Sequence, residues 1–447
     1  MKISMKHTGL AGLIGAATLA MIEPASAQDA AAASGVSGET GYIFNTFSFL
    51  IHGALVMWMA AGFAMLEAGL VRSKNVATIL LKNVALFAAA GIMYYLVGYQ
   101  LMYANVDGGW IGSFGIWSPD DAAALAGDYS AGYASTSDWF FQMVFVATAA
   151  SVVSGTVAER IKLWPFMIFT VVLTSVIYPI TGSWQWGGGW LSEMGFYDFA
   201  GSTLVHSVGG WAALTGAIIL GARKGKFGAD GSVHPMPGSN LTLATIGTMI
   251  LWLGWFGFNG GSQLAMNTAG DVIAIANIYA NTSMAAAGGV IAAMILTQVL
   301  YKKVDLTMAL NGALAGLVSI TAGPDTPSIG AAIIIGAIGG ILVVIAVPLV
   351  DKCKIDDVVG AVSVHLVCGI WGTLAVPITN ADVSFGVQLT GVVAIGAFTV
   401  VASAIVWLIL KFTVGIRLSE EDEAMGTDTA ELGLEAYPEF GKGSQRF

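Results

Sequence analysis

The stretch DFAGSTLVHSVGG, from Asp198 to Gly210, recurs 159 residues later as DVVGAVSVHLVCG, from Asp357 to Gly369. Six positions match at identical spacing: Asp198/Asp357, Gly201/Gly360, Val205/Val364, His206/His365, Val208/Val367 and Gly210/Gly369. Each copy opens a long apolar run, and each carries one histidine eight residues beyond its aspartate. At 1.5 Å per helical residue that offset is about 12 Å, close to half of a ~30 Å hydrocarbon core. Whether the copies face each other or sit apart as two packed histidines depends on what surrounds them.

The surroundings are those of a membrane protein. The 447 residues are 56% hydrophobic and only 10% charged, with 58 glycines and a mean hydropathy of +0.77. Soluble domains carry about 25% charged residues, so an ordinary soluble enzyme is excluded. The net charge of −10 argues against a nucleic-acid partner. Two cysteines, Cys353 and Cys368, cannot build a disulfide framework or a four-thiolate zinc site. No metal, cofactor or catalytic residue is expected.

Eleven apolar runs read as spanning helices, near 45–70, 76–103, 140–158, 164–182, 200–221, 241–261, 275–301, 308–322, 329–350, 358–378 and 385–412. The run at 308 is short, and the one at 275 reads as a split span. Ahead of them, Lys2 and Lys6, the apolar stretch from Gly9 to Ile22 and Ala25-Ser26-Ala27 form a secretory signal over 1–27; a short extra span is the alternative. Segment 28–44 then lies outside the cytoplasm, and the tail 413–447 inside.

Charge supports that topology. Eighteen basic residues, less Lys2 and Lys6, leave sixteen. Fifteen fall at the end of or after odd-numbered runs, as the positive-inside rule requires: Arg72 and Lys74, Arg160 and Lys162, Arg223, Lys224 and Lys226, Lys302 and Lys303, Lys352 and Lys354, then Lys411, Arg417, Lys442 and Arg446. The exception, Lys82, lies within the second run, with Glu67 in the first; snorkelling or pairing accounts for both. The first motif copy therefore enters its span from outside and the second from inside. This is the mark of an inverted repeat about an axis in the membrane plane, which brings His206 and His365 together near the midplane. Facing neutral imidazoles bond to each other and still offer one donor and one acceptor to a small polar solute.

Other residues suggest what that solute is. Asp198, at the outer mouth, caps a helix start or favours a nearby cation, and both roles stay open. Trp184, Trp186 and Trp190 precede it, and Phe141 and Phe145 lie one turn apart at the outer end of the third run. Aromatic faces anchor helices at interfaces and also hold desolvated cations at about 0.5–2 kcal/mol per ring. The Ser262 hydroxyl is an acceptor for a cation with N–H donors. A bis-histidine haem carrier and a substrate sensor with little flux are the readings from other classes.

The string DFAGSTLVHSVGGWAALTGAIILGAR, from Asp198 to Arg223, resembles the signature of the ammonium transporter (Amt/Mep/Rh) family. The resemblance extends through GFAMLEAGLVRSKN ending at Asn75, VAERIK ending at Lys162, WFGFNGGS from Trp255 to Ser262 and DDVVGAVSVHLVCGIWG from Asp356 to Gly372. It implies an all-α membrane fold of eleven helices, as two five-helix inverted repeats plus a final helix, usually a homotrimer with one pore per subunit. It implies an outer ammonium site of Trp186, Phe145 and Ser262 lined by Phe141, a phenyl gate of Phe145 and Phe258, and twin pore histidines His206 and His365. It assigns Asp198 to ammonium recognition, methylammonium being the substrate analogue. Trp186 favours the Amt branch over the neutral-gas Rh branch. Gly360, where some relatives carry an acid, and Leu366, where many have Gly, depart from the pattern at the inner exit. The tail LSEEDEAMGTDTAELGLEAY, with Leu432 where His is common, resembles a regulatory tail and suggests a PII-type signal protein as partner, in the inner membrane of a bacterium; the alternative is a solvated acidic tail.

Overall fold

The computed structural model describes residues 36–440; the signal segment 1–27 lies outside the described residues. Among the described residues no strand forms. The long helices are α1 (Gly38–Leu70), α2 (Ser73–Tyr103), α3 (Ser135–Thr156), α4 (Leu163–Glu193), α5 (Ser202–Leu220), α6 (Leu241–Gly261), α7 (Ala269–Tyr301), α8 (Leu306–Ile320), α9 (Ile329–Lys352), α10 (Val362–Thr379) and α11 (Phe385–Thr413). Ten have the length and apolarity to cross a membrane, and α8, at 15 residues, is the shorter helix among them.

Two boundaries differ from the sequence reading. Helix α1 starts at Gly38, where Ser37 Oγ accepts from Thr40 N–H, so residues 38–44 already belong to it. Helix α7 is not split. It starts at a Thr268/Asp271 capping box and runs unbroken for 33 residues. The side-chain amide of its polar Asn281 donates sideways to Pro324 O at 2.9 Å and Pro327 O at 2.8 Å, without any break in the helix.

Burial separates core from rim. Helix α3 is buried over 89% of its apolar window, against 33% for α7 and α11. On the rim, Ile291, Ile295 and Val299 of α7 and Val401, Ile405 and Ile409 of α11 form exposed apolar stripes at i, i+4 spacing, as expected where the surrounding solvent is hydrocarbon.

The two motif copies meet in this core, and the matched glycines have physical reasons. Gly201 and Gly360 have φ of +108° and +82°, the left-handed region open to glycine. From there the chain enters α5 and α10 through six-residue π-type turns, Ser202–Ser207 and Val362–Val367. Gly210 and Gly369 let the copies touch: a Cβ on Gly210 would lie 2.8 Å from Leu366 N, and one on Gly369 2.4 Å from Ser202 O.

The end of the bundle that carries the basic loops is tied by charge. Glu159, itself at φ +68°, pairs with Arg72 at 2.5 Å and Arg223 at 3.1 Å. Arg223 holds Asp356 through two hydrogen bonds of 2.8 and 2.9 Å. Burial raises the Asp356 carboxyl, but Arg223 and Arg160 outweigh it and hold it at about 2. The tail docks on this end rather than lying free in solvent. Asp428 accepts from Ala77 and Thr78 N–H at 2.9 and 2.7 Å, Glu431 accepts from Leu163 N–H at 2.9 Å, and Arg417 pairs with Glu423 at 2.7 Å.

Candidate functional site

The site is a column of rings between α3, α5, α6 and α10. Phe145 of α3 stacks on Phe258 of α6, centroids 4.0 Å apart and 27° between planes. Phe258 lies 5.2 Å from His206, and His206 lies 5.2 Å from His365 with their planes 26° apart. The π-type turns project both imidazoles into the same space, and the ring nitrogens Nδ1 approach to 3.2 Å. One ring therefore donates at Nδ1 and the other accepts, which leaves one Nε2 as donor and the other as acceptor. His206 Nε2 is fully buried and has no protein partner. The two Nδ1 atoms are in direct hydrogen bond at 3.2 Å, a contact that needs no metal between the rings.

Above the Phe pair the aromatic cluster continues. Phe141 lies 4.8 Å from Phe145, and Trp186 meets Phe145 edge-on at 6.2 Å. Phe141 rests against Gly261, where a Cβ would lie 2.4 Å from its ring, and Ser262 is the next residue. Ser262 Oγ donates to Phe258 O at 2.8 Å. Its proton is thus committed, and its lone pairs remain for a ligand that donates.

Asp198 is fully buried. One carboxylate oxygen accepts from Gly201 and Ser202 N–H at 3.1 and 2.8 Å, the other from Thr203 and Leu204 N–H at 2.9 and 2.8 Å. Trp186 Nε1 donates to the Asp198 carbonyl at 2.9 Å. Asp198 thus starts α5 and anchors Trp186. Asp357 repeats the cap at the basic end, accepting from Val362 N–H at 2.9 Å, Ser363 N–H at 3.3 Å and Thr156 Oγ1 at 2.9 Å.

Sequence reasoning missed two rings that wall the histidines. Trp255, one turn before Phe258, stacks on His206 at 4.9 Å and donates to Thr321 Oγ1 at 2.8 Å. Phe63 lies 6.0 Å from His365. The i, i+3 spacing of Trp255 and Phe258 was the available signal. Lys82 does not snorkel: it and Glu67 are each 1% exposed. Ser154 links them instead, its carbonyl accepting from Lys82 at 3.1 Å and its hydroxyl donating to Glu67 at 2.8 Å. At the basic end a cavity of about 260 Å³ opens beside Arg223, Asp351, Asp357 and Ser363.

Known proteins resemble the chain in sequence and in fold. The chain is 41% identical over 422 residues to the ammonium transporter Amt2 of Archaeoglobus fulgidus, covering 88% of this chain and 87% of that protein. It is 34% identical over 414 residues to the ammonium transporter of Bacillus subtilis, covering 87% and 97%. A solved sensor Amt protein superposes with a TM-score of 0.82 at 35% identity, covering 88% of this chain and 99% of that one. A family model described as Ammonium Transporter Family matches residues 47–437. By motif, fold and extent of match, this multi-pass membrane chain belongs to the ammonium transporter family.

Proposed function

We propose that the ring column is the conduction path of an ammonium transporter, with its aromatic end outside the cell. The supporting observation is the continuous stack from Phe145 through Phe258 to the hydrogen-bonded pair His206–His365. Ammonium is held by the faces of Trp186, Phe145 and Phe141 and donates to Ser262 Oγ. At about 0.5–2 kcal/mol per ring, these contacts offset only part of the ion's hydration. An unpaired charge in a dry interior costs tens of kcal/mol, so the bare ion does not pass the Phe145/Phe258 gate. The N–H bond breaks there, ammonia moves along the Nε2 edges of the histidine pair, and the proton crosses separately through the imidazoles, making transport electrogenic. Asp198 serves recognition through the cap and through Trp186, its carboxylate being occupied by backbone amides.

The same reading places the basic end and the docked tail in the cytoplasm of a bacterium, the chain in the inner membrane after cleavage near Ala27, and three copies in a homotrimer. The tail is then the surface through which a PII-type protein acts. A sensor role is the second reading, favoured by the likeness to the sensor Amt protein.

Isotopic methylammonium uptake into reconstituted vesicles tests the proposal. Uptake saturates in the wild type. Trp186→Leu weakens apparent affinity about 2- to 30-fold, the equivalent of one cation–π contact. Absence of saturable uptake refutes the transporter reading. Saturation with unchanged affinity in Trp186→Leu refutes the outer cation site and favours a neutral-gas channel.

A further inference from the structure

Glu67 is buried in the apolar bundle and takes no part in the column described above. Its Oε2 accepts from Ser154 Oγ at 2.8 Å and Asn83 Nδ2 at 3.2 Å, while its Oε1 is buried with no partner at all. No ion pair within 4.0 Å neutralises it among the described residues. Carboxylates at such positions are costly, and they mark proton and ion paths.

The cavity beside it gives this cost a use. A narrow cavity of about 10 Å³ is lined by Phe63, Glu67, Ser151, Gly155, Gly360 and His365, among others. Glu67, Ser151 and His365 are its polar lining groups, and it has room for about one ordered water. Val359 and Gly360 line both this cavity and the larger one at the basic end. Glu67 thus stands between the histidine pair and the basic-end cavity. Gly360, the repeat position where some relatives carry an acid, offers no carboxylate there. Its φ of +82° and the Asn311 amide 3.0 Å from any Cβ leave a side chain no comfortable place.

We propose that Glu67 is the proton acceptor that empties the histidine pair toward the basic end. The step rests on the conduction reading above. His365, carrying the proton released by ammonium, loses it as its N–H bond breaks, and an O–H bond forms at Glu67 Oε1 through the intervening water. That O–H bond then breaks to water in the basic-end cavity, and both groups return to their starting state. Ser154 holds the other oxygen and fixes the direction of Oε1. The titratable and charged groups facing Glu67 are Lys82 of α2 and His365 of α10, with Arg160 beyond Lys82.

The test uses the full chain in phosphatidylethanolamine/phosphatidylglycerol vesicles on a solid-supported membrane, with ammonium pulses across pH 5–8. The proposal expects Glu67→Gln to lose at least ten-fold in current. It expects Glu67→Asp to regain most of that current with a displaced pH profile. Glu67→Gln passing wild-type current with the wild-type profile overturns the proposal. So does equal loss in both variants with no displacement of the profile, which marks a structural role. If Glu67→Gln does not fold, the Glu67→Asp profile decides, and an unmoved profile overturns the proposal. A wild type with no ammonium-evoked current refutes the conduction reading itself, and the proposal with it; wild-type current that survives Glu67→Gln refutes the proposal alone.

Discussion

The same substitution, Asp to Asn, should have very different costs in the two motif copies. At Asp198 four backbone N–H groups converge on two oxygens, two on each, at 2.8–3.1 Å. An asparagine keeps one pair on its amide oxygen and turns an NH2 group on the other pair, leaving two buried donors without acceptors. At Asp357 one oxygen takes the backbone pair and the other takes only Thr156 Oγ1. An asparagine there keeps the pair and donates to the Thr156 hydroxyl, which rotates to offer a lone pair. Relief from burying a carboxylate is common to both variants and cancels in the comparison. Two orphaned N–H groups at ~1–3 kcal/mol each make Asp198→Asn less stable than Asp357→Asn by about 2–6 kcal/mol. Unfolding of both variants in one detergent, followed by tryptophan fluorescence, measures the difference. Equal stability, or a less stable Asp357→Asn, refutes the capping account.

Asp356 should make stability acid-sensitive. Its carboxyl is held at about 2, below the ~3.9 of an unfolded chain. Its contribution of about 2 kcal/mol is therefore complete above pH ~4 and is lost as pH falls toward 2. Asp356→Asn should remove that contribution at neutral pH and flatten the loss within this window, as read from unfolding temperatures across the range. Asp428→Ala should free the tail from the start of α2 at a cost of about 1 kcal/mol for the lost cap, seen as faster protease cleavage between residues 418 and 434; an unchanged cleavage rate would count against the docked arrangement.

The long apolar helices were legible because lipid imposes a simple rule, an apolar run long enough to cross it. The run 241–261 matches α6 residue for residue. The histidine pair was legible because a repeat carries geometry that a single helix does not. The left-handed glycines and π-type turns were not, since residue spacing does not report backbone dihedrals. The full burial of Glu67 and Lys82 was not legible because it depends on α3, which no pattern within α1 or α2 reports. The tail's acidic composition signals solvation, and nothing local to it reveals that its carboxylates cap helices elsewhere in the chain.

Helix α8 carries a consequence for how the chain is made. At about 22 Å it falls short of a ~30 Å hydrocarbon layer. Residues Leu310 to Ile320 are all buried, and Gly312 and Gly316 lie against the backbone of α7 near Gly289 and Ala285. Such a segment has little to hold it in lipid alone as it leaves the ribosome; the emerging α7 must receive it and α9 must close over it. Bulky substitutions at Gly312 or Gly316 should therefore surface as chains threaded in the wrong orientation, degraded before any transport could be assayed.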